Sequence, residues 1–131
     1  MISHCRKESP VEACGILAGK IRDSDGGTIR EVLRVYPCKN ELNSPIEYRI
    51  GAEEQFKIFS EIDDQGLDLL GFYHSHPYSP SRPSSVDGAR ANYFGYCYVI
   101  VSLCPQRFSS WVLEKKGVFV EEEVIVADES G

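Results

Sequence analysis

Two histidines one residue apart, His74 and His76, and a carboxylate eleven positions later, Asp87, are residue types that hold a catalytic zinc ion. Such centres use three protein ligands and keep a fourth position for water. Side chains alternate across a strand, so an extended backbone points His74 and His76 to one face and Ser75 to the other. Ser84 stands three residues before Asp87, a spacing that sets both on one side of a helix's first turn. Glu12 adds a carboxylate of the kind that takes a proton from water at a metal and delivers it to a leaving amine. Together the five point to a metal-assisted hydrolase.

Each part has a plainer reading when taken alone. A histidine pair at a strand end can be solvent-exposed decoration. Ser-x-x-Asp after Pro83 is also a helix capping box, in which both side chains serve backbone N–H groups. The two uses of Asp87 compete, because one carboxylate cannot be devoted fully to both; the metal use is preferred here. Glu12 alone would be a surface glutamate. Cys14 reads as a small packed thiol rather than a ligand or nucleophile, and His4 as a surface residue.

The 131 residues suit one domain, 1–131, with room for a core. Hydrophobic residues make up 42% and charged residues 26%, as in ordinary globular proteins. The net charge is −6, and no Lys/Arg run is long enough to track a phosphate backbone, which argues against nucleic acid. A basic or neutral protein surface is the more natural partner. No apolar run approaches a membrane span, and residues 1–10 lack the apolar stretch of a secretion signal, so a cytoplasmic protein is expected. Cys5, Cys14, Cys38, Cys97 and Cys104 are odd in number and form no Cys-x-x-Cys pair, which fits reduced thiols. A Cys97–Cys104 disulfide stays open.

The elements that must position these residues follow from periodicity. Residues 2–9 read as the end of a helix, and 13–19 as a buried strand bounded by glycine. The Asp-Gly-Gly turn at 25–27 leads into an alternating strand over 28–38, the second arm of a hairpin. Residues 40–45 form a polar loop and 46–50 a short strand. The clearest helix covers 52–66, with Ala52, Phe56, Phe59 and Ile62 inward and Gly66 closing it. A strand over 69–76 carries the histidines, and Pro77, Pro80 and Pro83 hold an extended loop. A second helix is expected over 84–94, a buried strand over 96–103, and a hairpin of 108–114 with 118–126. Strands and helices mix without a strict βαβ rhythm, which makes the class α+β.

Read together, Glu12, His74-Ser75-His76-Pro77, Ser84 and Asp87 resemble the complete signature of the JAMM (MPN+) metalloproteases. The surrounding text agrees: residues 10–19 (PVEACGILAG), Asn43-Ser44-Pro45, Gly71-Phe72-Tyr73, Pro83-Ser84 and residues 98–103 (YVIVSL). The resemblance covers nearly the whole chain and is nearest to the compact prokaryotic branch. It implies a curved, mainly antiparallel sheet flanked by helices, reminiscent of cytidine deaminases. It also implies one zinc per chain held by His74, His76 and Asp87. Glu12 would be the general base and acid, Ser84 would stabilise the oxyanion, and Ser75 would support the site. The implied partner is the extended C-terminal glycine tail of a ubiquitin-like or sulfur-carrier protein, held by strand addition and cut from a lysine or from a single amino acid such as cysteine. The segment 71–87 carries no long insertion, so strict linkage selectivity is not expected.

Two departures stand out. Relatives carry about one more strand and half a helix before the Pro10 region, so either the first sheet edge is missing, with a second subunit covering it in a homodimer, or Met1 is an internal methionine. Gly88 follows Asp87 where a bulkier apolar residue is common. Two rival readings have definite signatures. A non-catalytic MPN scaffold characteristically loses the glutamate, a histidine or the aspartate, and all are present here. A zinc deaminase needs His-x-Glu and Pro-Cys-x-x-Cys, neither of which occurs. A third reading, a sulfur-transfer accessory, is separated by whether chelation abolishes cleavage.

Overall fold

Apolar alternation on either side of the Asp25-Gly26-Gly27 turn folds the first third of the chain into a long antiparallel hairpin, β1 (Cys14–Ser24) with β2 (Gly27–Cys38). Gly27 takes a φ of 118°, which the turn requires and L side chains rarely adopt. The computed structural model describes residues 1–103 and 105–126. The remaining elements are α1 (Ile2–Glu8), α2 (Ala52–Asp64), β3 (Asp68–His76), α3 (Ser85–Arg90), β4 (Cys97–Leu103), β5 (Gln106–Lys115) and β6 (Val118–Glu122). The strands form a six-stranded sheet in the order β2-β1-β3-β4-β5-β6, with β3 and β4 parallel and the other neighbours antiparallel. This is the expected α+β architecture.

Each face of the sheet has its own core. On one, Ile16, Phe72 and Tyr98 pack with Ile58 and Ile62 of α2, and Tyr93 lies against them. On the other, Leu17, Tyr73 and Val99 pack with Cys5 of α1. The sheet bends until its edges meet: Arg30 on β2 lies 2.6 Å from Glu122 on β6 and also donates to the Gly95 carbonyl at 3.2 Å. Close strand approach explains two glycines. A Cβ on Gly15 would fall 2.1 Å from the Tyr73 ring, and one on Gly71 would fall 1.9 Å from the Cys97 carbonyl oxygen.

Several expectations are corrected. Residues 46–50 form no strand; a single bridge pairs Asn40 with Ile50. The helix expected over 84–94 stops at Arg90, because Ala91 turns extended and Tyr93 is drawn between Phe72 and Tyr96 by ring contacts. Ala52 is exposed and Phe56 is 74% exposed, rather than inward. The inward stripe of α2 runs through Ile58, Phe59 and Ile62, and Phe56 sits nearly opposite Ile58 at 100° per residue. His4 is not a free surface group: its side chain is 15% exposed, with Nδ1 2.8 Å from the Tyr73 hydroxyl. The closing hairpin ends at Glu122, short of 126. Cys97 carries a free thiol, and Cys104 lies outside the described residues.

Gly71, inside the histidine strand, and Gly88, next to Asp87, differ in tolerance. Gly71→Ala has no room and is expected to destabilise the fold by about 2–3 kcal/mol or prevent folding. Gly88→Ala meets only the Gly117 Cα at 3.6 Å and is expected to stabilise α3 by about 0.5–1 kcal/mol. Urea unfolding of both variants checks the contrast.

Candidate metal centre

The end of β3 delivers His74 and His76 to the face that α2 and α3 cover, and Ser75 to the opposite face. Ser75 fastens this strand end: its N–H donates to the Ala13 carbonyl at 3.0 Å, and its hydroxyl oxygen accepts from the Ala13 N–H at 2.8 Å. The stitch fixes Ala13 and so the adjacent Glu12, whose N–H donates to the Ser44 carbonyl at 2.8 Å.

Asp87 arrives from the first turn of α3. The capping box is fully formed: the Ser84 hydroxyl accepts from the Asp87 N–H at 3.1 Å, and Asp87 Oδ2 accepts from the Ser84 N–H at 2.9 Å. The carboxylate therefore serves the cap through Oδ2 while both of its oxygens face the histidines. Oδ2 also lies 3.0 Å from His76 Nε2, and Oδ1 lies 3.1 Å from His74 Nε2. The cap aims the carboxylate at the histidines.

One ligand atom from each of His74, His76 and Asp87 falls within 4.8 Å of the others, and all three residues are buried. The two Nε2 atoms are 3.2 Å apart. His76 Nδ1 lies 2.7 Å from the Pro80 carbonyl, which can only accept, so Nδ1 holds a proton and Nε2 faces the centre, where it donates to Asp87 in the charged ring and would offer a lone pair to a metal in the neutral one. The proline loop that supplies this carbonyl is itself held, since the Ser102 hydroxyl donates to the Ser79 carbonyl at 2.9 Å and the Trp111 indole to the Ser81 carbonyl at 3.2 Å.

The buried groups perturb one another strongly. Burial lowers the pKa of His74 despite the nearby Asp87. Burial also opposes charge on His76, yet its contacts with Asp87 and Pro80 raise its pKa overall. Burial works against ionised Asp87 as well, and the hydrogen bonds from both histidines overcome it, holding the carboxyl far below the usual range. Glu12, 2% exposed, is pushed up to about 8 by burial, with His76 working against the rise and Asp87 and Glu47 adding to it. Glu12 Oε1 and His74 Nδ1 are buried without a hydrogen-bond partner. Two imidazole nitrogens, a carboxylate oxygen and an unsatisfied buried carboxyl beside them fit a divalent cation of zinc type.

Two contributors escaped the sequence reading. Tyr48 stacks on His74 with ring centroids 4.5 Å apart and planes at 25°. Asn40 is a buried amide that bonds the Glu12 and Glu47 carbonyls. Both lie in a stretch with little regular structure, where residue type and spacing carry no signal. A cavity of about 460 Å³ opens beside His74 and Asp87, walled by Tyr48, Phe72, Tyr93, Tyr98 and Phe119 with Arg49 and Arg90.

Residues 1–114 match the family described as prokaryotic homologs of the JAB domain. The chain is 40% identical over 107 residues to a desampylase of Haloferax volcanii, covering 78% of this chain and 73% of that protein. It is 35% identical over 102 residues to a CysO-cysteine peptidase of Mycobacterium tuberculosis, covering 78% and 66%. A solved structure of a Desulfitobacterium hafniense protein superimposes with a TM-score of 0.85 at 38% identity, covering 98% of this chain and 87% of that one. This chain belongs to the prokaryotic JAB family, the compact JAMM/MPN branch. It is a hydrolytic peptidase of that family.

The raised Glu12 pKa has a consequence for metal-free protein. A folded-state value of about 8 against 4.5 in the unfolded chain means the fold binds this proton more tightly. The associated stability is present below about pH 4.5 and is lost as pH rises towards 8. Glu12→Gln removes that loss. In the presence of chelator the variant is expected to exceed the parent by about 2–4 kcal/mol at pH 8 and much less at pH 5, read by urea unfolding.

Proposed function

We propose that the chain is a zinc-dependent peptidase that hydrolyses the amide bond after the C-terminal glycine of a ubiquitin-like or sulfur-carrier protein. The observation that carries this is Glu12: a buried carboxyl with an unpartnered oxygen, set beside the His-His-Asp cluster. A domain that only binds a partner gains nothing from such a group, which costs folding free energy. The names desampylase and CysO-cysteine peptidase borne by relatives support the substrate class. No helix among the described residues is long and apolar enough to cross a membrane, which is compatible with a cytoplasmic substrate.

His74, His76 and Asp87 would hold the zinc ion. When bound, zinc supplies Lewis acidity that polarises the scissile carbonyl and lets water lose a proton at a pH of about 7. Glu12 takes that proton on Oε1, its buried oxygen without a hydrogen-bond partner, and hands it to the departing nitrogen. Ser84 spends a lone pair on the Asp87 N–H, so its O–H remains available to donate to the carbonyl oxygen as negative charge develops. Among the described residues the thiols are poor nucleophiles: burial pushes Cys5 up to about 11 and Cys38 and Cys97 up to about 12, and raises Cys14 as well.

The substrate tail would lie extended along the site, its glycines passing the aromatic walls that close around His74. Release of a lysine side chain and release of a single amino acid use the same groups. Mass spectrometry of the products from each class of conjugate separates the two.

Three outcomes are expected with a ubiquitin-like fusion substrate. Chelator abolishes cleavage and added zinc restores it. Glu12→Gln lowers kcat by about 100-fold or more while zinc content is unchanged. Ser84→Ala lowers kcat by about 100-fold and, through the lost cap, stability by about 1 kcal/mol. Undiminished cleavage by Glu12→Gln would assign the chain a scaffold role instead.

A further inference from the structure

We propose that Tyr48 is the positioning residue that sets the plane of the His74 imidazole for metal binding, and that the buried Asn40 amide holds Tyr48 in place. This rests on the reading of His74 as a metal ligand. The two histidines of the centre are oriented by different means. His76 is fixed by a hydrogen bond from Nδ1 to the Pro80 carbonyl at 2.7 Å. His74 has no such anchor: its Nδ1 is buried and has no hydrogen-bond partner. A metal-binding imidazole normally uses its second nitrogen for that purpose. What His74 has instead is the face of Tyr48, with centroids 4.5 Å apart and planes at 25°. His76 meets it only edge-on, at 5.0 Å and 61°.

Face-to-face contact blocks rotation of the imidazole about its Cβ–Cγ bond, because any turn drives ring atoms into the phenol. It also favours the loaded state. An imidazole that gives its lone pair to a cation becomes electron-poor, and the π-face of an aromatic ring attracts positive charge. A leucine has similar bulk but presents neither the flat face that holds the imidazole plane nor the π-electrons that attract its charge.

Tyr48 lies in no helix or strand, so its placement needs another source. Asn40 supplies it from both sides. Its Nδ2 donates to the Glu47 carbonyl at 2.9 Å, and its Oδ1 accepts from the Arg49 N–H at 3.2 Å. The same amide donates to the Glu12 carbonyl at 3.0 Å and accepts from the Leu42 N–H at 3.0 Å. Glu47 also pairs with Arg90 of α3 at 3.0 Å, which ties the segment to the helix carrying Asp87. One buried side chain therefore links the proposed base to the ring that faces a proposed ligand.

The test is zinc affinity, measured by competition with a chromogenic chelator, and the visible absorption of the Co²⁺-loaded protein, which reports ligand geometry. Tyr48→Phe keeps the stacked face and is expected to bind zinc within about 2-fold of the parent, whereas Tyr48→Ala and Tyr48→Leu weaken it about 10-fold and alter the Co²⁺ spectrum. Asn40→Asp keeps the acceptor but sets a carboxylate against two carbonyls, and it is expected to weaken zinc in the same direction. Tyr48→Leu retains apolar bulk and serves if the alanine variant folds poorly. Folded Tyr48→Leu with parental zinc affinity and Co²⁺ spectrum overturns the proposal. A different result sinks the underlying site: if His76→Ala binds zinc as tightly as the parent, the metal centre itself is misassigned.

Discussion

Two imidazole nitrogens 3.2 Å apart, with a carboxylate about 3 Å from each, are held together on buried side chains. The rest of the structure depends on this contact. A buried carboxylate is expensive unless matched by positive charge and hydrogen bonds, and here a second buried carboxyl, Glu12, stands alongside. With protons alone the groups can only share: Asp87 keeps its charge, His76 is pushed towards the charged form, His74 away from it, and Glu12 towards the neutral acid. A divalent cation would serve all four groups at once. The fold thus carries a locally unfavourable cluster whose natural complement is a metal ion.

Rigidity around the cluster comes from small, specific contacts rather than from bulk packing. Ser75 clips the histidine strand to Ala13, and so sets Glu12 relative to His74 by backbone geometry. The capping box of α3 fixes Asp87 while leaving both of its oxygens within reach of the histidines. Pins from Ser102 and Trp111 hold the proline loop, which presents the Pro80 carbonyl to His76. The Arg30–Glu122 pair joins the two edges of the sheet and maintains its curvature. Each of these contacts is polar, directional and worth little alone; their value lies in aligning groups that a hydrophobic core would leave free to shift.

The legibility of the sequence followed the range of each interaction. The histidine spacing was readable because period-two alternation is a local backbone property, and the strand 69–76 differs from β3 by one residue. The Ser84–Asp87 cap was equally local. Where burial decides, local patterns failed. Phe56 fitted a helical stripe as well as Ile58 did, and only the docking of α2 on the sheet chose between them. The helix over 84–94 ended early because Tyr93 belongs to the aromatic core around Phe72. Asn40 and Tyr48 looked like an ordinary polar loop and a strand residue; their contacts span 28 positions to Glu12 and 26 to His74, which no window of sequence contains.

In the proposed centre His74, His76 and Asp87 grip one zinc ion. Anomalous X-ray diffraction at the zinc absorption edge, from crystals grown with zinc, tests it most directly. A single strong peak is expected about 2.0–2.2 Å from Nε2 of His74, Nε2 of His76 and a carboxylate oxygen of Asp87. Crystals in which these three side chains keep their direct contacts, with the anomalous signal absent or elsewhere on the chain, would contradict it.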